Sequence, residues 1–334
     1  MFIIGKSDTN RLYVRRSEGG RGLTSVSEAV QYQKKSLIEY CHNSNNIILN
    51  TLTKNYKKED ITSKEYKNLM NEKHKEKWNA KELHGQFLRE LPKETNRELT
   101  FGWLKSNTKK QTEAIIIAAQ DHSLPTRSIT SKFKNISPLC RLCNEKTETP
   151  MHILSACSYL AGSSYKERHD RVGRFIHYHL MKKSGFDVPE KYYEHQPQPS
   201  SENSGAKILW DFNIYTDNII SARRPDIVLI DKQTKKTIII DINCPADKNI
   251  TKNEKEKINK YISLQVELER VWETKITIVP IVIGCLGSTT NNLRKYAERL
   301  SLDEQHIRLL QRETLLGSAR IIRRYITQGG EHFV

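Results

Sequence analysis

The sequence lacks an apolar run long enough to cross a bilayer. A membrane-spanning helix needs about 20 mostly apolar residues. The longest candidates, Ala114–Ala119 and Ile276–Leu286, are much shorter, and polar or helix-breaking residues interrupt or flank both of them. The amino-terminal MFIIGKSDTN has no basic region ahead of a sustained apolar one, so it does not resemble a secretory signal. We therefore expect no membrane association and no secretion.

Cysteine is scarce and unevenly placed. Of six cysteines, Cys140, Cys143 and Cys157 crowd together with His152 between them, while the others stand far apart. A disulfide framework is typical of small secreted domains, and isolated clusters of Cys and His are typical of metal sites in a reducing compartment. The cysteine pattern therefore indicates a metal site in an intracellular protein.

Acidic residues are outnumbered, with 39 Asp and Glu against 55 Lys and Arg, which gives a net charge of +16. Such an excess favours a polyanionic partner and disfavours an acidic one. An anionic membrane surface or a need for solubility would also explain a basic chain. Nucleic acid is the partner that we expect, with no small-molecule substrate.

The 334 residues can hold two or three domains. The predicted class is α+β or α/β: a helical basic region over 1–125, a small zinc knuckle with a basic helix over 126–195, and a mixed sheet with flanking helices over 206–334. The intervening QPQPSSENSG (196–205) is predicted to be a linker, because Pro, Ser and Gly dominate it.

The first motif is Cys140-x2-Cys143-x8-His152-x4-Cys157. Zinc takes four tetrahedral nitrogen or sulfur ligands, and a Cys-x2-Cys pair can wrap one side of the ion in a tight turn. Because all four positions are filled, the spacing predicts a closed, structural zinc site. The alternative is three buried cysteines that are close by chance.

A pair of aspartates is the second motif. RPDIVLI and KTIIIDIN are β-branched runs joined by the polar turn DKQTKK. In an antiparallel hairpin centred on Gln233 and Thr234, Asp226 lies directly opposite Asp241, on the same face of the ladder. Two carboxylates so placed can share a hard cation such as Mg²⁺. The alternative is that Asp226 caps a turn and Asp241 ends its strand in solvent.

Basic groups for this pair are offered by the following helix, predicted over 253–272. Lys257, Lys260 and Tyr261 lie three or four residues apart and share one face. A lysine there would orient an attacking water or neutralise developing negative charge, although most lysines on such helices are only solvated. Arg223 and Arg224, just before Asp226, would grip a flanking phosphate or serve only as surface residues.

Together these motifs resemble the carboxyl-terminal part of non-LTR retrotransposon polyproteins, which carry a restriction-like endonuclease of the PD-(D/E)XK superfamily. The strings that carry the resemblance are RLYVRRSEGGRGL, CRLCNEKTETPMHILSACSYLA, KERHDRVGRFIHYHL, ILWDFNIYTDNIISARRPDIVLIDK, IIIDINCPADKNITKNEKEKINKYISLQVELERVW and VPIVIGCLGS. The resemblance implies that Asp226 and Asp241 hold the metal and that Lys257 or Lys260 is the catalytic lysine.

Two departures qualify this resemblance. The usual superfamily pattern has a lysine two residues after the second acid, where this chain has Asn243; the retrotransposon branch moves that lysine to the following helix, which the string KINKY fits. The chain also contains no Asp-Asp dipeptide, so the polymerase's metal-binding motif is missing. We expect no reverse transcriptase activity from this chain alone.

The resemblance implies a nuclear, Mg²⁺-dependent DNA nicking endonuclease, whose released 3′-hydroxyl primes reverse transcription by the intact element. Target DNA would be the partner, with the element's RNA as a second candidate, and Arg141, Arg223, Arg224 and Tyr261 would be the nucleic-acid-binding residues. One alternative is a non-catalytic nucleic-acid-binding remnant of a retroelement. A third hypothesis is a protein-interaction module that uses the carboxyl-terminal amphipathic helices.

Overall fold

The computed structural model describes residues 9–53 and 61–328. The chain divides into two compact units, Met1–Arg89 and Glu90–Val334. Helices and one mixed sheet are both present, which confirms the mixed α and β class. The boundaries predicted after residues 125 and 195 stay predictions.

The first unit is helical, and its helices begin at polar caps. Ser25 accepts a hydrogen bond from Glu28 N at the start of its longest early helix, and Thr62 and Glu65 form a reciprocal capping box. The helices are α1 (Asn10–Tyr13), α2 (Val26–Asn43), α3 (Ile47–Thr53), α4 (Ser63–Ala80) and α5 (Gln86–Glu90). Residues Ser44–Asn46 separate α2 from α3.

The second unit contains the longest helices and the sheet. Its helices are α6 (Arg97–Thr100), α7 (Lys110–Gln120), α8 (Arg127–Thr130), α9 (Pro150–Ser155), α10 (Ser158–Leu160), α11 (Lys166–Lys183), α12 (Ile250–Trp272), α13 (Leu293–Arg299) and α14 (Glu304–Gln328). No helix within 9–53 or 61–328 is long and apolar enough to cross a membrane.

The sheet has the strand order β1-β2-β3-β4-β5. Its strands are β1 (Ser200–Glu202), β2 (Ala206–Trp210), β3 (Ile227–Asp231), β4 (Lys236–Asn243) and β5 (Lys275–Val282). Neighbours are antiparallel except for β4 and β5, which are parallel and are connected through α12. In the β3–β4 hairpin Ile227 pairs with Ile240, which confirms the predicted register.

The prediction of a linker over 196–205 is wrong for the second half of that segment. Ser200–Glu202 forms the edge strand β1, and β2 begins directly after the linker at Ala206. The Asn203 carboxamide oxygen accepts hydrogen bonds from Gly205 N and Ala206 N, at 2.9 and 2.8 Å, and so closes a tight hairpin. The polar composition of this segment belongs in part to the edge strand β1 and to the turn that follows it.

Hydrophobic clusters cover both faces of the sheet. On one face Ile227, Ile240 and Ile242 pack with apolar residues of α11, α13 and α14. On the other face Val228 and Ile239 pack against α12. Because alternate residues of a strand share a face, Asp241 lies on the α12 side of the sheet, two residues after Ile239.

Gly173 sets the distance between α11 and the sheet. A Cβ at this position would lie 2.7 Å from the Trp210 ring and 3.1 Å from the Ile242 Cδ1 atom. We expect Gly173→Ala to lower the free energy of unfolding by about 1–3 kcal/mol, since overpacking outweighs the better helix propensity of alanine. Urea denaturation measures it, with Gly162→Ala as the control because nothing lies within 4 Å of its added Cβ. A Gly173→Ala variant as stable as the native chain would contradict the close packing.

Candidate functional site

The first two cysteines lie in a tight hairpin. Leu139 and Thr147 form an isolated β-bridge, and Cys140 N donates to Lys146 O at 2.8 Å. The turn between them closes where Asn144 N donates to Cys140 O at 2.8 Å, with Asn144 in the left-handed region at φ 57°. Asparagine tolerates this conformation better than most residues, so the local sequence brings Cys140 and Cys143 to one side of the turn.

The other two ligands come from α9 and the residue pair that follows it. The Thr149 hydroxyl caps this helix by accepting from His152 N at 3.0 Å, and Pro150 occupies its first turn. Cys157 N donates to the Tyr165 hydroxyl at 3.0 Å, and that hydroxyl donates to Ile153 O at 2.7 Å. Tyr165 therefore fixes Cys157 next to the helix that carries His152.

The four side chains converge at the spacing of a tetrahedral site. Cys140 Sγ lies 3.9 Å from Cys157 Sγ, and Cys143 Sγ lies 3.3 Å from His152 Nε2. All four ligand atoms lie within 4.8 Å of one another. A tetrahedral zinc ion with bonds of about 2.3 Å to sulfur would separate its ligand atoms by roughly 3.5–3.8 Å. This cluster can therefore hold a metal such as zinc.

Electrostatics oppose a bare thiolate at Cys157 but favour one at Cys143. Burial alone would raise the pKa of Cys143, but backbone hydrogen bonds from Glu145 and Lys146 outweigh burial and lower it. Burial, together with the neighbouring Cys140, raises the pKa of the Cys157 thiol to about 12. Burial also lowers the pKa of His152, with Lys146 adding to the effect. Neutral imidazole is the form that binds a metal, and a bound cation is what deprotonates buried thiols.

Arg141 lies between the two cysteines, and its guanidinium bonds within the knuckle. Its Nε and Nη2 atoms donate to the two carboxylate oxygens of Glu148, each at 3.2 Å, and Glu148 is fully buried. The same guanidinium lies 5.0 Å from the centre of the Tyr325 ring. Its partners are protein groups, and the nucleic-acid contact predicted for Arg141 stays a prediction.

Asp226 lies just before β3 and contacts both β4 and α11. Its Oδ2 atom accepts from Ile242 N at 2.6 Å, which places the carboxylate beside the residue that follows Asp241. The same oxygen lies 3.0 Å from His169 Nε2. The hairpin register therefore places Asp226 opposite Asp241, as the sequence predicts. Its carboxylate, however, bonds to α11, whose apolar residues pack on the other face of the sheet from α12. That the two carboxylates share one face therefore stays a prediction.

Asp241 is almost completely buried, with 1% of its surface exposed. Lys257 Nζ contacts its Oδ2 atom, and Lys260 Nζ lies 3.3 Å from Oδ1. The Tyr261 hydroxyl donates to Oδ1 at 2.5 Å. All three α12 residues predicted to face this acid do so.

Tyr261 itself has no exposed surface. Burial and the adjacent Asp241 charge raise the pKa of its phenol far above the ordinary value, so the hydroxyl remains a donor. Lys260 Nζ donates to the same hydroxyl at 2.8 Å. Tyr261 is therefore placed to hold Asp241, and the contact with nucleic acid predicted for it stays a prediction.

His169 carries no signal in the sequence, where its helix has the pattern of a basic segment. Besides the contact with Asp226, its Nδ1 atom lies 3.0 Å from Asp170 Oδ1. Burial alone would lower the pKa of His169, but the hydrogen bonds to Asp170 and Asp226 outweigh burial and raise it to about 10. Only its position on the inward side of α11, three residues before Val172, could have indicated a role.

Two open clefts meet at the start of α11. The larger, of about 790 Å³, lies between the cysteine cluster and the β4–α12 loop. The second, of about 390 Å³, reaches Asp226, and both are lined by Lys166 and His169. The larger cleft is also lined by Lys146, Arg168 and Lys248, and among the residues described around it no carboxylate lines it.

Arg223 and Arg224 precede Asp226 in the sequence, and Arg224 lines the second cleft. The Arg224 guanidinium pairs with Asp211 at 2.8 Å and lines the cleft, with 61% of its side chain exposed. Arg223 is exposed, and its backbone oxygen accepts from Ile214 N at 2.8 Å. Both guanidinium groups can be reached from solvent, and their phosphate contact stays a prediction.

Comparison with known proteins adds no family to this geometry. A scan against protein-family models finds no match, and a search of curated proteins finds no similar sequence.

Proposed function

We propose that this chain is a metal-dependent DNA nicking endonuclease, a fragment of a non-LTR retrotransposon polyprotein with a restriction-like PD-(D/E)XK core. The observations that carry the proposal are that Asp226 accepts a hydrogen bond from the backbone of the residue after Asp241, and that Lys257 and Lys260 both contact Asp241. A nuclear location and a role in target-primed reverse transcription follow from the resemblance. This chain would supply the nick, without the polymerase.

The donor set fits Mg²⁺, which binds proteins through one or two carboxylates and completes its shell with water and phosphate. Asp226 and Asp241 would hold the ion, and a bound Mg²⁺ would activate a water molecule and stabilise negative charge on the phosphate. Lys257 or Lys260 orients the water or neutralises the charge that develops on the phosphate. Tyr261 keeps Asp241 in place, and His169 holds Asp226.

The two joined clefts offer a path for the nucleic-acid strand. Lysines along such a path bind phosphates without selecting a base sequence. Lys146, which lies between Cys143 and His152 in the sequence, lines the larger cleft. The cysteine cluster would in this way position DNA relative to Asp226.

The alternative is a non-catalytic nucleic-acid-binding remnant, and one observation favours it. Lys257 and Lys260 both pair with Asp241 and neutralise its charge in the absence of a metal. A core whose acids and lysines only pair with each other would keep the fold and bind nucleic acid without cutting it.

Incubation with supercoiled plasmid and Mg²⁺ tests the endonuclease. We expect the native chain to nick the plasmid and Asp226→Asn to do so at least about tenfold more slowly, since the neutral side chain keeps its size but loses the charge that binds the metal. Asp217→Asn is the control, because Asp217 is an exposed aspartate that pairs with Arg270. Nicking by gel is the measurement.

Equal rates for the native chain and Asp226→Asn would refute the enzyme. A gel shift on the same DNA then separates the alternatives: salt-dependent binding without nicking supports the remnant. Binding no stronger than that of an unrelated protein of equal charge would refute both.

A further inference from the structure

The segment RLYVRRSEGGRGL, which the endonuclease proposal does not use, folds back on itself in the first unit. Gly22 N donates to Val14 O at 2.8 Å, and Leu23 N donates to Leu12 O at 2.9 Å. A Cβ on Gly20 would lie 2.0 Å from Val14 O, so only glycine allows this close approach. The Arg11 guanidinium lies 4.6 Å from the centre of the Trp78 ring and attaches the segment to α4.

This folded segment, α2 and α4 enclose a pocket of about 310 Å³. Three tyrosines line it, one from each element: Tyr13, Tyr32 and Tyr66. All three side chains are half-buried, and no hydrogen bond from their hydroxyls is found within the described residues of this unit. The pocket therefore presents three tyrosine side chains to a planar ligand.

Positive charge also lines the same pocket. Lys67 Nζ lies 5.4 Å from the centre of the Tyr32 ring. Arg15 also lines the pocket and is exposed. The lining acid Glu28 is paired with His74 Nε2 at 2.6 Å. An anion tethered to a planar ring would complement the tyrosines together with Lys67 and Arg15.

We propose that this pocket binds a base of a single-stranded nucleic acid. Bases of unpaired strands stack on tyrosine rings in a manner that tolerates sequence, while lysine and arginine contact the adjoining phosphates. The volume suits a small planar ligand, since ligand pockets start at about 300 Å³. This site is independent of the endonuclease and would hold DNA or RNA even if the chain cut nothing.

Fluorescence anisotropy with 12-nucleotide strands tests the pocket, where an abasic strand of equal length has the same phosphates without bases. We expect the full chain to bind oligothymidine about tenfold more tightly than the abasic strand. Tyr32→Leu with Tyr66→Leu should abolish this preference, because apolar bulk remains but both rings are gone. Tyr32→Phe with Tyr66→Phe should keep it, since the stacking faces remain.

Tyr40→Leu is the matched control, since Tyr40 is an exposed tyrosine of α2 that does not line the pocket. An oligouridine strand tests whether the bound base comes from RNA or from DNA. Preference for either strand names the nucleic acid, and equal binding means that the pocket takes both; each of these results supports the pocket. Equal binding of base-bearing and abasic strands by the native chain would overturn the proposal. So would a leucine variant that keeps the native preference.

Photocross-linking of the unaltered chain to 5-iodouridine strands keeps the test decisive if the leucine variant fails to fold. Cross-links on tryptic peptides that contain Tyr13, Tyr32 or Tyr66 are the expected result. Cross-links confined to the second unit would overturn the proposal. Neither outcome depends on nicking, so the endonuclease and the base pocket can fail separately.

Discussion

Removing zinc from the Cys140–Cys157 cluster is expected to lower the free energy of unfolding of the second unit by more than about 4 kcal/mol, because loss of a structural metal is among the largest single changes a protein undergoes. For a unit of this size the corresponding fall in Tm is about 8–16 °C. A metal bound by the four side chains would join the Cys140–Cys143 turn to α9 and to Cys157, and its removal would break that connection.

The destabilisation should extend beyond the knuckle, because Arg168 connects it to the sheet and to α14. The buried Arg168 guanidinium donates to Leu154 O at 2.8 Å, to Cys244 O at 3.0 Å and to the Ser318 hydroxyl at 3.1 Å. If α9 shifts, the buried Arg168 guanidinium loses its hydrogen bond to Leu154 O, and an unpaired buried charge lowers the free energy of unfolding. We therefore expect one cooperative transition that occurs at lower temperature.

Elemental analysis of the purified chain should find one zinc per molecule, and Cys140→Ser should lose it together with the fall in Tm measured by calorimetry. Cys41→Ser is the control, since Cys41 belongs to the first unit and lies outside the cluster. The zinc site would be contradicted if the native chain contained no metal and the Cys140→Ser variant had the same Tm as the native chain.

The features that sequence predicts well in this chain are local. The β3–β4 register follows from a short turn between two β-branched runs, and the Cys and His spacing alone brings four ligands together. The strand β2 was missed, because AKILW follows a polar, proline-rich stretch and its pairing with β3 depends on residues about 20 positions away. Long-range pairing leaves no periodic signal in so short a run.

His169 shows the same limit at the site. Asp241, Lys257 and Lys260 are linked by one strand and the next helix, so helical periodicity predicts their meeting. His169 reaches Asp226 from a helix 57 positions earlier in the chain, and only the packing of α11 across the sheet creates that contact. The sequence therefore predicts the acid and lysine set and does not predict the residue that supports Asp226.

Replacing Lys257 is expected to slow plasmid nicking by about 100- to 1,000-fold, the range for removal of one group that stabilises charge in a transition state. Lys257 is the more enclosed lysine, with 21% of its side chain exposed against 43% for Lys260, and its ammonium makes the closer contact with Asp241. Lys260 also donates to Tyr261 at 2.8 Å, which suits a role in holding that tyrosine.

The matched pair of variants is Lys257→Met and Lys260→Met, compared by nicking rate and by urea denaturation. Each single change leaves Asp241 with one ammonium partner and should alter stability little, while the double variant leaves a buried carboxylate uncompensated at a cost of about 3–5 kcal/mol. A slow Lys257→Met enzyme with native stability assigns the catalytic role to Lys257. If Lys260→Met is the slower enzyme, the assignment is wrong, because the exposed lysine then does the chemistry.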